Sequence, residues 1–166
     1  MSARPRHRNE TAARRARRGV CAALAAACVA ATACGGHTAT KQDVIARANG
    51  ICVNTLRQVR DVAPPAGSSL SALATYARKV EPLIDKEASD TRGLPRPAQG
   101  RGLLNRYVAA VSDSATSYRA LAAAARVDDA SGVAQALSAL RSNPAPALAT
   151  QYGLTECSAA AGTKAP

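Results

Sequence analysis

Downstream of residue 40 the apolar positions recur at spacings of three and four, the signature of helices that bury one stripe. Ile45, Ala48, Cys52, Leu56, Val59 and Val62 predict a first helix over 40–62. Asn49-Gly50 inside it is read as a close contact with another helix, because a mid-helix glycine costs about 1 kcal/mol relative to alanine. The stretch APPAGSS, 63–69, breaks the pattern and offers a serine cap. Leu70, Leu73, Ala77, Val80 and Ile84 mark a second helix, with Pro82 expected to kink it. A Pro- and Gly-rich linker, 91–102, precedes the strongest helical pattern in the chain: Leu104, Tyr107, Val108, Val111, Ala115, Tyr118, Leu121 and Ala122. Asp128-Asp129 reads as the cap of a fourth helix carrying Val133, Leu137 and Leu140. Asn143-Pro144-Ala145-Pro146 interrupts that helix, which resumes through Leu148 to Tyr152. Gly153-Leu154 reads as a stop, with glycine in the left-handed position and an apolar residue after it. No alternation of period two is sustained, so the fold class is all-α. Four amphipathic segments with short breaks predict an up-down-up-down four-helix bundle.

Ahead of this domain the pattern is different. Arg14, Arg15, Arg17 and Arg18 run into an apolar segment of 14 residues, 20–33, then Cys34 and Gly35-Gly36. Basic, apolar and small-residue regions in that order are the plan of an export signal. The apolar run falls short of the roughly 20 residues a spanning helix requires. Ala31-Thr32-Ala33-Cys34 resembles a bacterial lipobox, which implies cleavage before Cys34 and a lipid on its sulfur. Ala25-Ala26-Ala27-Cys28 is a competing site with a shorter apolar run and no glycine spacer. The arginine pair faintly resembles a twin-arginine signal, and the general secretory route is equally compatible. The expected division is a signal peptide at 1–33, a tether at 34–40, a helical domain at 41–157 and a disordered tail at 158–166.

The leader changes how the charge is read. The whole chain has a formal charge of +11, which by itself points to nucleic acid. Seven Arg and one Glu of that balance sit in 1–33, leaving +5 on the remaining 133 residues. These charges are scattered and lack interleaved aromatics for base stacking. No nucleic-acid partner is expected. With no Trp, no Phe and four Tyr, the core must be built from Ala, Leu, Val and Ile. Alanine-rich composition favours helix, because Ala loses no side-chain entropy on forming it.

Two cysteines remain outside the leader and Cys34: Cys52 near the start of the domain and Cys157 near its end. An even pair in an exported chain predicts a disulfide. Because Cys52 is mid-helix while Cys157 follows a helix end, the C-terminal segment must fold back along the first helix.

The lipobox, Ala48-Asn49-Gly50-Ile51-Cys52, the Pro-rich breaks, and Tyr152-Gly153-Leu154 before Cys157 together resemble the small helical lipoproteins of high-GC Gram-positive (actinobacterial) type. The resemblance covers most of 34–157. It implies a lipid-anchored location on the extracytoplasmic face of the cell membrane and is nearly silent on activity. Pro144 and Pro146 depart from the alanine-rich last helix of that pattern.

Candidate chemistry is sparse. The two histidines are His7 in the leader and His37 in the tether, so no His-dependent mechanism is available to the domain. No phosphate-cradling glycine loop occurs. Asp85, Glu87 and Asp90 read as surface charge among Lys86 and Arg92, and Asp113 between Ser112 and Ser114 reads as exposed. Tyr107 and Tyr118 are three helical turns apart and share a face; they pack in the core or line a small apolar pocket. No catalytic residue, cofactor or metal site is expected. The expected function is a non-catalytic envelope lipoprotein that binds or scaffolds another protein. The alternative is a helical carrier of a small apolar or lipid-like ligand.

Overall fold

A computed structural model describes residues 39–160 apart from 66 and 68. The expected signal peptide at 1–33 with Cys28, the tether residues Cys34 and His37, and residues 161–166 lie outside the described residues. Six helices lie among the described residues: α1 (Lys41–Asp61), α2 (Leu70–Arg92), α3 (Arg101–Arg126), α4 (Ala130–Arg141), α5 (Ala145–Tyr152) and α6 (Thr155–Ala160). There is no strand among the described residues.

Three of the helices, α1, α2 and α4, begin at a side-chain cap. Thr40 and Asp43 close a reciprocal capping box on α1. The Ser69 hydroxyl caps α2 by accepting from the Ala72 N–H, and Asp129 caps α4 by accepting from the Gly132 N–H. Helix α2 runs through Pro82 without ending. Gly153 ends α5 at φ +99°, where the Leu154 N–H reaches back to the Ala149 carbonyl at 2.8 Å. Leu154 itself is fully buried, so the stop also inserts an anchor.

The C-terminal third keeps the expected interruption at 143–146 and the stop at Gly153, and adds a further helix beyond it. Asn143 begins the break: its side-chain amide donates to the Ala110 carbonyl of α3 at 2.8 Å, while its oxygen accepts from the Ala145 N–H. Three short helices, α4 to α6, replace one interrupted helix, so the four-helix count is corrected to six. Helix α6 takes in Ser158 to Ala160, which the sequence placed in a disordered tail.

Contacts fix the directions. Arg119 pairs with Glu81 and Arg92 with Ser112, so α2 and α3 are antiparallel. Asn143 against Ala110 and Gly132 beside Ala124 make α3 and α4 antiparallel. Along α1 the partners rise together, Ile45 with Gly153, Asn49 with Glu156 and Cys52 with Cys157. Helix α6 therefore runs beside α1 in the same sense, whereas a simple up-down-up-down bundle would place an antiparallel fourth helix there.

The core has two layers that share α3. One holds Val44, Ala48, Cys52, Leu104, Tyr107, Tyr152 and Leu154, drawn mainly from α1, α3 and α5. The other holds Ala74, Ala77, Leu121, Ala125, Val133 and Ala136, from α2, α3 and α4. The stripe on α1 is rotated from the expected one: Val44 and Thr55 are buried, while Ile45, Leu56 and Val59 are half-buried.

Candidate functional site

Glu87, on α2, is a partly buried acidic side chain. It sits where α1, α2, α3 and α6 meet, in contact with the disulfide. Cys52 on α1 and Cys157 on α6 are joined at an S–S distance of 2.03 Å, 105 residues apart in sequence. Cys52 is 1% exposed and Cys157 6%. The pairing read from the sequence is the pairing the structure contains.

The surroundings of that bond are polar. Glu87 Oε1 lies 3.5 Å from Cys52 Sγ, and the Tyr107 hydroxyl lies 3.3 Å from the same sulfur. A disulfide sulfur carries no proton, so neither contact is a hydrogen bond given by sulfur. The Tyr107 hydroxyl has one proton and donates it to Glu87 Oε1 at 3.0 Å. Thr55 supplies a second hydrogen bond to the carboxyl. On the other sulfur, Cys157 Sγ faces the Ala48 carbonyl at 3.8 Å. The Glu156 N–H donates to the Asn49 side-chain oxygen at 3.2 Å, fastening α6 to α1.

Burial pushes the Glu87 carboxyl above the ordinary carboxylate range, against the opposing hydrogen bonds from Tyr107 and Thr55. Burial, with the Glu87 charge beside it, pushes the Tyr107 hydroxyl up as well. The cluster can thus hold a proton next to sulfur in a site largely withdrawn from water.

The sequence reading of Glu87 as surface charge is corrected here. A signal for its position was present: Ala77, Val80, Ile84 and Glu87 follow at three and four, so Glu87 continues the apolar stripe of α2. Asp85 and Asp90 are exposed as expected, with Asp90 paired to Lys86 at 2.6 Å. Asp113 is exposed. Asn49 does touch another helix, but Gly50 does not: a Cβ there would meet nothing within 4 Å.

Tyr107 and Tyr118 go to different layers. Tyr107 is buried beside the disulfide, and Tyr118 packs half-buried on the second layer. Burial and the neighbouring Tyr76 push the Tyr118 hydroxyl up to about 12. A shallow groove of about 370 Å³ lies at the start of α2, lined by Pro64, Pro65, Ser71, Thr75, Tyr76 and Lys79. Neither Tyr107 nor Tyr118 lines it. Among the described residues no group of three His, Cys, Asp or Glu side chains is placed to hold a metal ion, and no helix is long and apolar enough to cross a membrane.

No protein-family model, curated protein or solved structure matches the chain. The functional reading therefore rests on the residues and their arrangement.

Proposed function

We propose that this chain is a lipoprotein of the cell envelope, anchored through Cys34 on the extracytoplasmic face of the membrane. There it acts without catalysis, by binding another protein. The observation that carries the reading is the pairing of an export-type leader ending at Cys34 with a domain joined across 105 residues by a disulfide. Such bonds persist in oxidising compartments and are rare where thiols are kept reduced. A leader alone or a cysteine pair alone would support export less well than the two together.

Support for a binding role comes from the outer side of α1. Ala46, Gly50 and Val53 fall four and three residues apart on its exposed side, with Val53 45% exposed. Arg47, Asn54 and Arg57 flank them and are also exposed. Small apolar positions rimmed by charge are what one helix offers to another across an interface. The carrier reading takes second place: the groove described above opens to solvent, and an apolar ligand calls for a concave site that encloses most of its surface.

Crosslinking in intact cells, followed by identification of captured proteins, tests the proposal. A defined envelope protein captured by wild type, and lost when Val53 is replaced by Asp, is the expected result. Capture of nothing but lipid, or an apolar ligand retained in native mass spectrometry, would move the assignment to a carrier.

A further inference from the structure

The two sulfurs of the disulfide are not equivalent. Cys52 sits in the middle of a 21-residue helix and is 1% exposed; Cys157 sits in a six-residue helix and is 6% exposed. A helix of six residues does not hold its shape alone. What holds α6 is the buried Leu154 before it, the disulfide and the Asn49 contact, and Cys157 is the more exposed of two buried cysteines. The Cys52 side faces the Glu87 carboxyl and the Tyr107 hydroxyl.

We propose that the Cys52–Cys157 bond is a thiol–disulfide exchange site of the folded protein, opened by small-molecule thiols at Cys157, with Glu87 as the proton donor to the departing Cys52 sulfur. The attacking thiolate forms a bond to Cys157 Sγ. The Cys52–Cys157 bond breaks, and its electron pair leaves on Cys52 Sγ. A bare thiolate in this buried position would be costly, and leaving-group stability governs the rate of exchange. The Glu87 carboxyl, 3.5 Å away, gives its proton to that sulfur. The carboxylate left behind accepts the hydrogen bonds of Tyr107 and Thr55 and later regains a proton from water. A second thiol attacks the mixed disulfide, freeing Cys157 and leaving with the first as their own disulfide. Two small thiols are oxidised and two protein thiols are formed. The Cys157 thiol, protonated by water, then has the Ala48 carbonyl at 3.8 Å to donate to.

The groups that face Glu87 are Cys52 and Thr55 from α1, Tyr107 from α3 and Cys157 through the disulfide from α6. None of these carries a charge at neutral pH. Burial raises the carboxyl above its ordinary range, which widens the span of pH over which it has a proton to give.

The test is the rate of reduction of the purified oxidised protein by dithiothreitol, from about pH 4 to about pH 9, divided by the concentration of attacking thiolate. Wild type should show a normalised rate that falls about tenfold or more as Glu87 loses its proton. Glu87→Gln should be slower than wild type by about tenfold at the low end and should show no such fall. A wild-type profile without the fall, or a Gln variant that matches wild type throughout, would overturn the proposal. So would reduction that accelerates in urea in step with global unfolding, since the bond would then open only in the unfolded chain. Should Glu87→Gln not fold, the wild-type profile and the urea series decide the matter.

Discussion

Glu87 shows how one side chain couples the parts of this domain. Its carboxyl is held above the ordinary carboxylate range by burial, so the folded state binds its proton more tightly than the unfolded state does. The stability this contributes is complete at acid pH, below the unfolded value, and is lost as pH rises through the folded one. Glu87→Gln keeps the shape and removes the titration. Denaturant unfolding from about pH 4 to about pH 8 should show wild type losing stability relative to the Gln variant, by on the order of 1 kcal/mol. A variant that tracked wild type at every pH would show that the carboxyl is not desolvated as described. This residue was legible in the sequence by its register on α2. It was misread because the acidic and basic residues around it, from Arg78 to Asp90, mostly do face solvent.

Elements differ in how clearly sequence announces them, and their length is the reason. Helices α1 to α3 run 21 to 26 residues, enough turns for a stripe to repeat, and the serine cap expected before the second helix is Ser69. Helix α6, with six residues, spans too few turns to show a period. It exists because Leu154 plugs the core and Cys157 is bonded to α1. The disulfide was legible through cysteine arithmetic, while the parallel course of α6 was not, since it depends on how Gly153 turns the chain. Replacing both cysteines with serine should lower unfolding free energy by about 2–5 kcal/mol. Amide exchange should then show α6 losing protection first while α3, shared by both core layers, keeps it. Equal protection of α6 with and without the bond would mean that packing, not the disulfide, holds it in place.

At the scale of the whole molecule, an alanine-rich helical domain, closed on itself by one long-range bond, follows a basic-then-apolar segment that the proposed function takes to be an export leader. The all-helical class followed from composition and period. Helix partnering did not, because Ala-rich stripes of similar width fit several neighbours about equally well, and the choice falls to particular groups such as Asn143, Leu154 and Cys157. The function proposed depends on the protein leaving the cytosol and remaining at the membrane. Intact-mass measurement of the protein from native membranes, alkylated without reduction, tests this most directly. The account predicts a chain that begins at Cys34, carries acyl mass, and takes no alkyl group at Cys52 or Cys157. A chain retaining Met1, free of lipid and alkylated at both positions, would contradict it.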